Sequence, residues 1–246
     1  MTTGNPVALV TGGARRIGAA IVRRLHADGY DIALHYRHSS ADAQALATPL
    51  IASRPGSVLL LQADLDDVTA AVGLVDATVA HFGRLTALVN NASAFFPTTI
   101  GATSAAQWES LFAANVRAPF FLAQAAAAHL RRVRGAIVNL VDIHGERPLR
   151  DHAVYGASKA ALIHMTSALA LDLAPDVRVN AVAPGAILWP ENGKDVAAQA
   201  RLIDATPLAR IGTPEEIAEA VRWLLRDATY CTGQVIRVDG GRTLAG

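Results

Sequence analysis

The chain has 246 residues, 52% of them apolar, with 22 basic and 21 acidic side chains and a formal net charge of +1. That is enough apolar material for a substantial core, and the even charge balance argues against an electrostatic nucleic-acid binder. A single cysteine, Cys231, rules out an intramolecular disulfide and points to a reducing, cytoplasmic compartment; no apolar run approaches the ~18 residues of a membrane span.

In chain order, short apolar runs at 7–10, 31–36, 57–62, 87–90, 136–141, 177–182 and 234–238 read as strands. The longer patterns between them, at 16–28, 40–53, 66–82, 107–132, 152–173 and 214–226, read as helices. The first run is strand-length and stops at glycines, so no secretory signal is expected. The strands are continuously apolar, as strands buried on both faces are. Strand–helix alternation implies one parallel sheet with helices on both sides. The expected fold is therefore α/β: a single doubly wound, Rossmann-type sheet of about seven strands. No repeat or linker divides the chain, so one domain over 1–246 is expected, with a substrate loop at about 186–206. The cluster Arg131, Arg132 and Arg134 reads as a solvated helix end, where cations complement the helix dipole.

In such folds ligands sit beyond the carboxyl ends of the strands, and the chemistry-bearing residues fall there. After the first strand comes TGGARRIG, 11–18. Gly12 and Gly13 allow a tight turn and close approach to a phosphate, Gly18 allows the helix to pack on the sheet, and the helix N-terminus offers free N–H groups. The second strand ends in HYRHSS, 35–40. A carboxylate there would grip a bare ribose; Arg37, His38 and Ser39, with Arg15 from the turn, suit a 2′-phosphate instead, so NADPH is expected over NADH. After the third strand, Asp64 suits either an adenine amino group or a helix cap. Asn90 and Asn91 follow the fourth strand.

YGASK, 155–159, holds one of only two lysines, Lys159 and Lys194, in a chain that otherwise uses arginine. On a helix, positions i and i+4 share a face, so Lys159 is expected beside the Tyr155 phenol. Its ammonium would draw the phenol's pKa down toward neutrality, making it a proton donor or acceptor.

The glycine turn, NNAS at 90–93, Asn115, YGASK and the terminal VDGG at 238–241 together resemble the short-chain dehydrogenase/reductases over nearly the whole chain. That resemblance implies Tyr155 as the proton-transferring group, Lys159 as its partner and ribose ligand, and Asn115 as anchor of a water relay. The family's usual serine, thirteen residues before the tyrosine, is here Asp142. A carboxylate opposes both a developing alkoxide and the ionisation of Tyr155, which disfavours plain carbonyl chemistry and favours protonation of a ring nitrogen. Arg16 replaces a family glycine and can reach a pyrophosphate and a flat polar substrate. Phe95 is placed to stack on a planar heterocycle, whereas Phe96 reads as a core or lid hydrophobe.

With HYRHS, QADL, NNASAFFP, VDIHGERPL and APDVRVN, these departures resemble the pteridine reductases, the bacterial dihydromonapterin reductases among them. The resemblance implies cofactor contacts at Gly12, Arg15, Arg16, Ile17 and Gly18; at His35, Tyr36, Arg37, His38 and Ser39; at Asp64 and Leu65; at Asn91, Ala92 and Ser93; at Tyr155 and Lys159; and at Pro184 and Gly185. It implies a pterin held by Arg16, Ser93, Phe95, Asp142 and Tyr155, with Leu188 and Trp189 covering it, no metal, and a homotetramer. Two other readings stay open: an NADPH-dependent carbonyl reductase acting on 3-oxoacyl thioesters or sugars, and a non-catalytic NADPH-binding sensor or scaffold.

Overall fold

The computed structural model describes residues 4–188 and 195–245. Seven strands form one all-parallel sheet: β1 (Val7–Val10), β2 (Asp31–Tyr36), β3 (Val58–Gln62), β4 (Ala87–Asn90), β5 (Ala136–Leu140), β6 (Arg178–Pro184) and β7 (Val235–Val238). Their order is β3-β2-β1-β4-β5-β6-β7. The direction of winding reverses between β1 and β4, the place where such sheets open a crevice.

Residues of β1 alternate between two layers, because successive strand side chains point to opposite faces. Ala8 and Val10 pack with Ile21, Leu25, Ile217 and Leu224, from α1 (Arg16–Ala27) and α8 (Pro214–Arg226). Leu9 packs with Leu74, Leu122 and Leu173 on the other face, from α3 (Val68–Phe82), α5 (Ala118–Val133) and α6 (Ala153–Leu173). The helix ends are chemically marked. Asp67 accepts from Thr69 and Ala70 N–H at the start of α3, and reciprocal capping boxes join Thr213 to Glu216 and Ser104 to Gln107. Helix α2 (Ser40–Ser53) completes the layer beside β2 and β3.

Two expectations from the sequence need correction. The helix expected over 107–132 is two helices, α4 (Ala105–Phe112) and α5, joined by a π-helical turn at Ala113–Arg117. Pro119 explains the break: it has no N–H to donate to the Asn115 carbonyl four residues back. Within the segment expected to be a loop, 186–206, the chain forms α7 (Val196–Asp204). Its nine residues fall short of the window of about 11–18 over which a helical period is read from sequence, and none of them is buried. The remaining boundaries shift by a residue or two; β6 runs on to Pro184, which pairs with Val238.

Candidate active site

The turn after β1 is built around Thr11, a residue that sequence reasoning passed over. Its buried hydroxyl oxygen accepts from Asn91 N–H (2.9 Å) and Ala92 N–H (3.0 Å) and donates to the Val89 carbonyl (3.3 Å). The Asn91 amide donates back to the Thr11 and Gly12 carbonyls, at 2.9 and 3.0 Å. The ends of β1 and β4 are thus tied at the crevice. Gly12 has φ of +61°, and a Cβ on Gly18 would lie 2.1 Å from the Gly12 carbonyl oxygen. These glycines leave a cradle beside the N-terminus of α1 that any side chain would close, which fits the phosphates of a dinucleotide. Arg16, at the position where a glycine is common in this pattern, adopts φ of +52°. A non-glycine residue there carries roughly 1–2 kcal/mol of strain.

At the end of β2, His35 is buried, and both its ring nitrogens are engaged within the protein, with the Gly12 amide and the Ala63 carbonyl. Tyr36 and Ile17 pack partly into the α1 layer and Leu65 into the other. Arg37 and His38 are exposed. Arg37 pairs with Asp64 at 2.7 Å, and Arg15 lies 3.8 Å from Asp42. Ser39 precedes α2 without a side-chain capping bond. Of the two uses weighed for Asp64, the cap falls away: Asp67 caps α3, while Asp64 accepts from the Asp66 N–H and faces Arg37.

Across the crevice, Asp142 stands two residues past the end of β5 and opens a 3-10 turn at Ile143–Gly145. One carboxylate oxygen accepts from His144 N–H (2.8 Å) and the other from the Tyr155 hydroxyl (2.7 Å). Tyr155 sits in the first turn of α6, 4% exposed. Its pKa is pushed well above the ordinary tyrosine value by burial, by the charge of Asp142 and by the hydrogen bond to it. This corrects the expectation that Lys159 draws the phenol toward neutrality. Lys159 does lie on the same face, but its Nζ donates to the Leu140 carbonyl (2.9 Å) and stands 5.8 Å from the centre of the Tyr155 ring. Burial lowers the Lys159 pKa to about 8, against the opposing pull of Asp142.

Asn115, fully buried in the π turn, fastens the NNAS loop to α6. Its Oδ1 accepts from the Ser93 hydroxyl and the Ala94 N–H, both at 2.9 Å. Its Nδ2 donates to the Ala94 carbonyl and the Ser158 hydroxyl, both at 3.0 Å. Phe95 follows, 55% exposed, edge-on to Tyr155 at 4.7 Å and stacked on His152 at 4.8 Å. Phe96 packs with Leu111, Val154 and Tyr155. His152, which no sequence signal marked, closes the aromatic side of the site from just before α6. Pro184 is buried at the end of β6, and Gly185 abuts Asp239, where a Cβ would lie 2.7 Å from the Asp239 Cα. Leu188 is 38% exposed; Trp189 lies outside the described residues.

The result is a nucleotide-binding sheet whose switch point faces a Tyr–Lys–Asn group, the arrangement of a redox enzyme. The family model described as enoyl-(acyl carrier protein) reductase matches residues 12–243. Pteridine reductase 1 of Leishmania tarentolae is 38% identical, across 97% of this chain and 96% of its own length. Ketoacyl reductase 2 of the granaticin polyketide synthase of Streptomyces violaceoruber is 39% identical, again across 97% of this chain and 96% of its own. The 3-oxoacyl-(acyl-carrier-protein) reductase of a Synechocystis species is 34% identical over 97% of each chain. The chain belongs to the short-chain dehydrogenase/reductase family, oxidoreductases that use a nicotinamide nucleotide. Among the described residues no helix is long and apolar enough to cross a membrane.

Proposed function

We propose that this oxidoreductase reduces a pterin-type ring with NADPH. The observation that carries the reading is the 2.7 Å bond from Tyr155 to the carboxylate of Asp142, directly beside the exposed ring of Phe95. A carbonyl reductase gains from a neutral donor at position 142; a carboxylate there disfavours an alkoxide and favours proton delivery to nitrogen.

When bound, the dinucleotide supplies the hydride that the ring carbon accepts. The turn holding Gly12, Arg15, Arg16, Ile17 and Gly18 and the loop of Asn91, Ala92 and Ser93 would hold its phosphates and ribose, and Lys159 would be the ligand for the ribose next to the nicotinamide. Arg37, His38 and Ser39 favour a 2′-phosphate, with Asp64 at the adenine side. Phe95 covers one face of the substrate ring, and Arg16 and Ser93 engage its polar edge. The Asp142–Tyr155 pair releases one proton, the ring nitrogen beside the reduced carbon gains it, and water replaces it on the pair. With the charge on Asp142, the proton that leaves is the phenol's; because burial and Asp142 hold its pKa high, water must return a proton to Tyr155 as the ring nitrogen takes one, so that the phenolate does not accumulate.

Steady-state oxidation of NADPH with a dihydropterin, an acetoacetyl thioester and a keto sugar as parallel substrates tests the reading. Turnover of the dihydropterin at a kcat/KM at least roughly tenfold above the others is expected. Preference for the thioester, the chemistry named for two of the relatives, would replace the proposal by a carbonyl reductase. Binding of NADPH without turnover of any of the three would favour a sensor. The same reading includes a homotetramer. Phe120 on α5 and Leu171 on α6, 38% and 83% exposed, offer apolar area for it, and a monomer by sedimentation would remove that part.

A further inference from the structure

His35 is 1% exposed, yet it touches two groups of opposite hydrogen-bonding character. The Gly12 N–H, which can only donate, lies 3.1 Å from Nδ1. The Ala63 carbonyl, which can only accept, lies 3.2 Å from Nε2. One protonation state satisfies both: a neutral ring with its proton on Nε2. A second proton would set Nδ1–H against the Gly12 N–H, two donors facing each other in a buried space. The backbone of His35 is part of the same brace, since its carbonyl accepts from the Gly13 N–H at 2.9 Å. The ring therefore joins the glycine turn after β1 to the end of β3.

We propose that His35 is a positioning residue: a neutral, Nε2-protonated imidazole that holds the Gly12 amide and so fixes the phosphate turn, whose grip on a dinucleotide loosens when the ring becomes an imidazolium. Burial favours the neutral ring and places its pKa below the ordinary histidine value, while the Ala63 carbonyl and the charge of Asp64 pull the other way. The charged neighbours are few. Strands β1 and β3 carry no ionisable side chain; the turn carries Arg15 and Arg16; β2 itself carries Asp31 and Tyr36, followed by Arg37 and His38; after β3 come Asp64 and Asp66, and Arg37 pairs with Asp64 at 2.7 Å. The inference rests on the turn's role in nucleotide binding and is independent of the pterin.

Two measurements on the full chain test it. Long-range proton–nitrogen NMR of the ligand-free protein reads the ring state directly: His35 is expected as the Nε2–H tautomer at neutral pH. A Nδ1–H tautomer or a doubly protonated ring there overturns the proposal, whatever the cofactor. Dinucleotide affinity, followed by NADPH fluorescence, reads the consequence. Wild type is expected to weaken on acidification through the His35 titration. His35→Asn, whose side-chain oxygen replaces Nδ1 as acceptor for Gly12, should hold NADPH within a few-fold of wild type at neutral pH and lose that pH dependence. His35→Leu, which leaves the Gly12 amide without an acceptor, should weaken binding by roughly tenfold. Undiminished affinity in His35→Leu, or an unchanged pH profile in His35→Asn, refutes the role. If His35→Leu does not fold, the NMR state and the His35→Asn profile still decide. Failure of wild type to bind either NADPH or NADH would count against the cofactor reading alone, since the ring state is measured without it.

Discussion

The hydroxyl of Tyr155 directs its proton to Oδ2 of Asp142 at 2.7 Å, so these two residues form one proton-holding unit. The phenol in this pair resists ionisation, because burial and the carboxylate both act against the phenolate.

Tyr155→Phe removes the hydroxyl and leaves the ring, and with it the edge contact to Phe95. Turnover should fall by on the order of 10²–10⁴-fold, with NADPH affinity within a few-fold of wild type. An equal collapse of NADPH binding, measured by fluorescence titration, would make the phenol structural.

Asp142→Ser removes the charge and the acceptor that raise the Tyr155 pKa. The phenol should then ionise at lower pH than in the parent, visible as phenolate absorbance in a titration referenced to Tyr155→Phe. Dihydropterin turnover should drop by about 10²-fold. Unchanged pterin turnover would remove position 142 from the argument.

Phe95→Ala deletes an exposed ring that contacts both Tyr155 and His152. An aromatic stacking partner contributes about 0.5–1.5 kcal/mol, so KM for the pterin should rise by up to roughly tenfold with a smaller change in kcat. A loss confined to kcat would show that the ring positions the proton donor and leaves substrate binding alone.

Gly18→Ala would place a methyl group against the Gly12 carbonyl oxygen, 2.1 Å away on the present backbone. The turn must then move, with destabilisation on the order of 3 kcal/mol and loss of NADPH binding. A variant with parental affinity and melting temperature would show that the cradle is not as tight as its geometry implies.

Lys159 yields a stability prediction. Its pKa falls from 10.5 in the open chain to about 8 in the fold. Between those values the unfolded chain binds more protons than the folded one, so stability rises with pH across that window. Below it the buried ammonium costs about 3 kcal/mol. Urea midpoints of the ligand-free protein should show this upward contribution between about pH 8 and about pH 10, and Lys159→Met should lack it while losing turnover. A variant that keeps the slope would assign it to another group.

The sheet was legible because its central strands are buried on both faces and punctuated by glycine, and the spacing from Tyr155 to Lys159 survives into space because both lie on the regular α6. What escaped was set by packing. The Tyr155–Lys159 spacing is correct, but sequence could not show that the ammonium would bond the Leu140 carbonyl and leave the phenol to Asp142. His152 carries no motif, and it matters only because the chain before α6 returns against Thr98 and brings its ring onto Phe95. Thr11 lay inside a recognised motif, and its hydroxyl acquires a role only once β4 arrives beside β1.

The wide turn at Ala113–Arg117 has a bearing on how this protein tolerates change in length. Deleting one residue there would remove the wide turn and run the first helix into the second through the kink that Pro119 still imposes, and Asn115 would swing by about 100° around the axis. The hydrophobic layers would survive such a lesion, while the amide would leave Ser93 and Ser158 behind. Length variation at this bend should therefore yield folded but silent proteins, separating what keeps the molecule together from what makes it work.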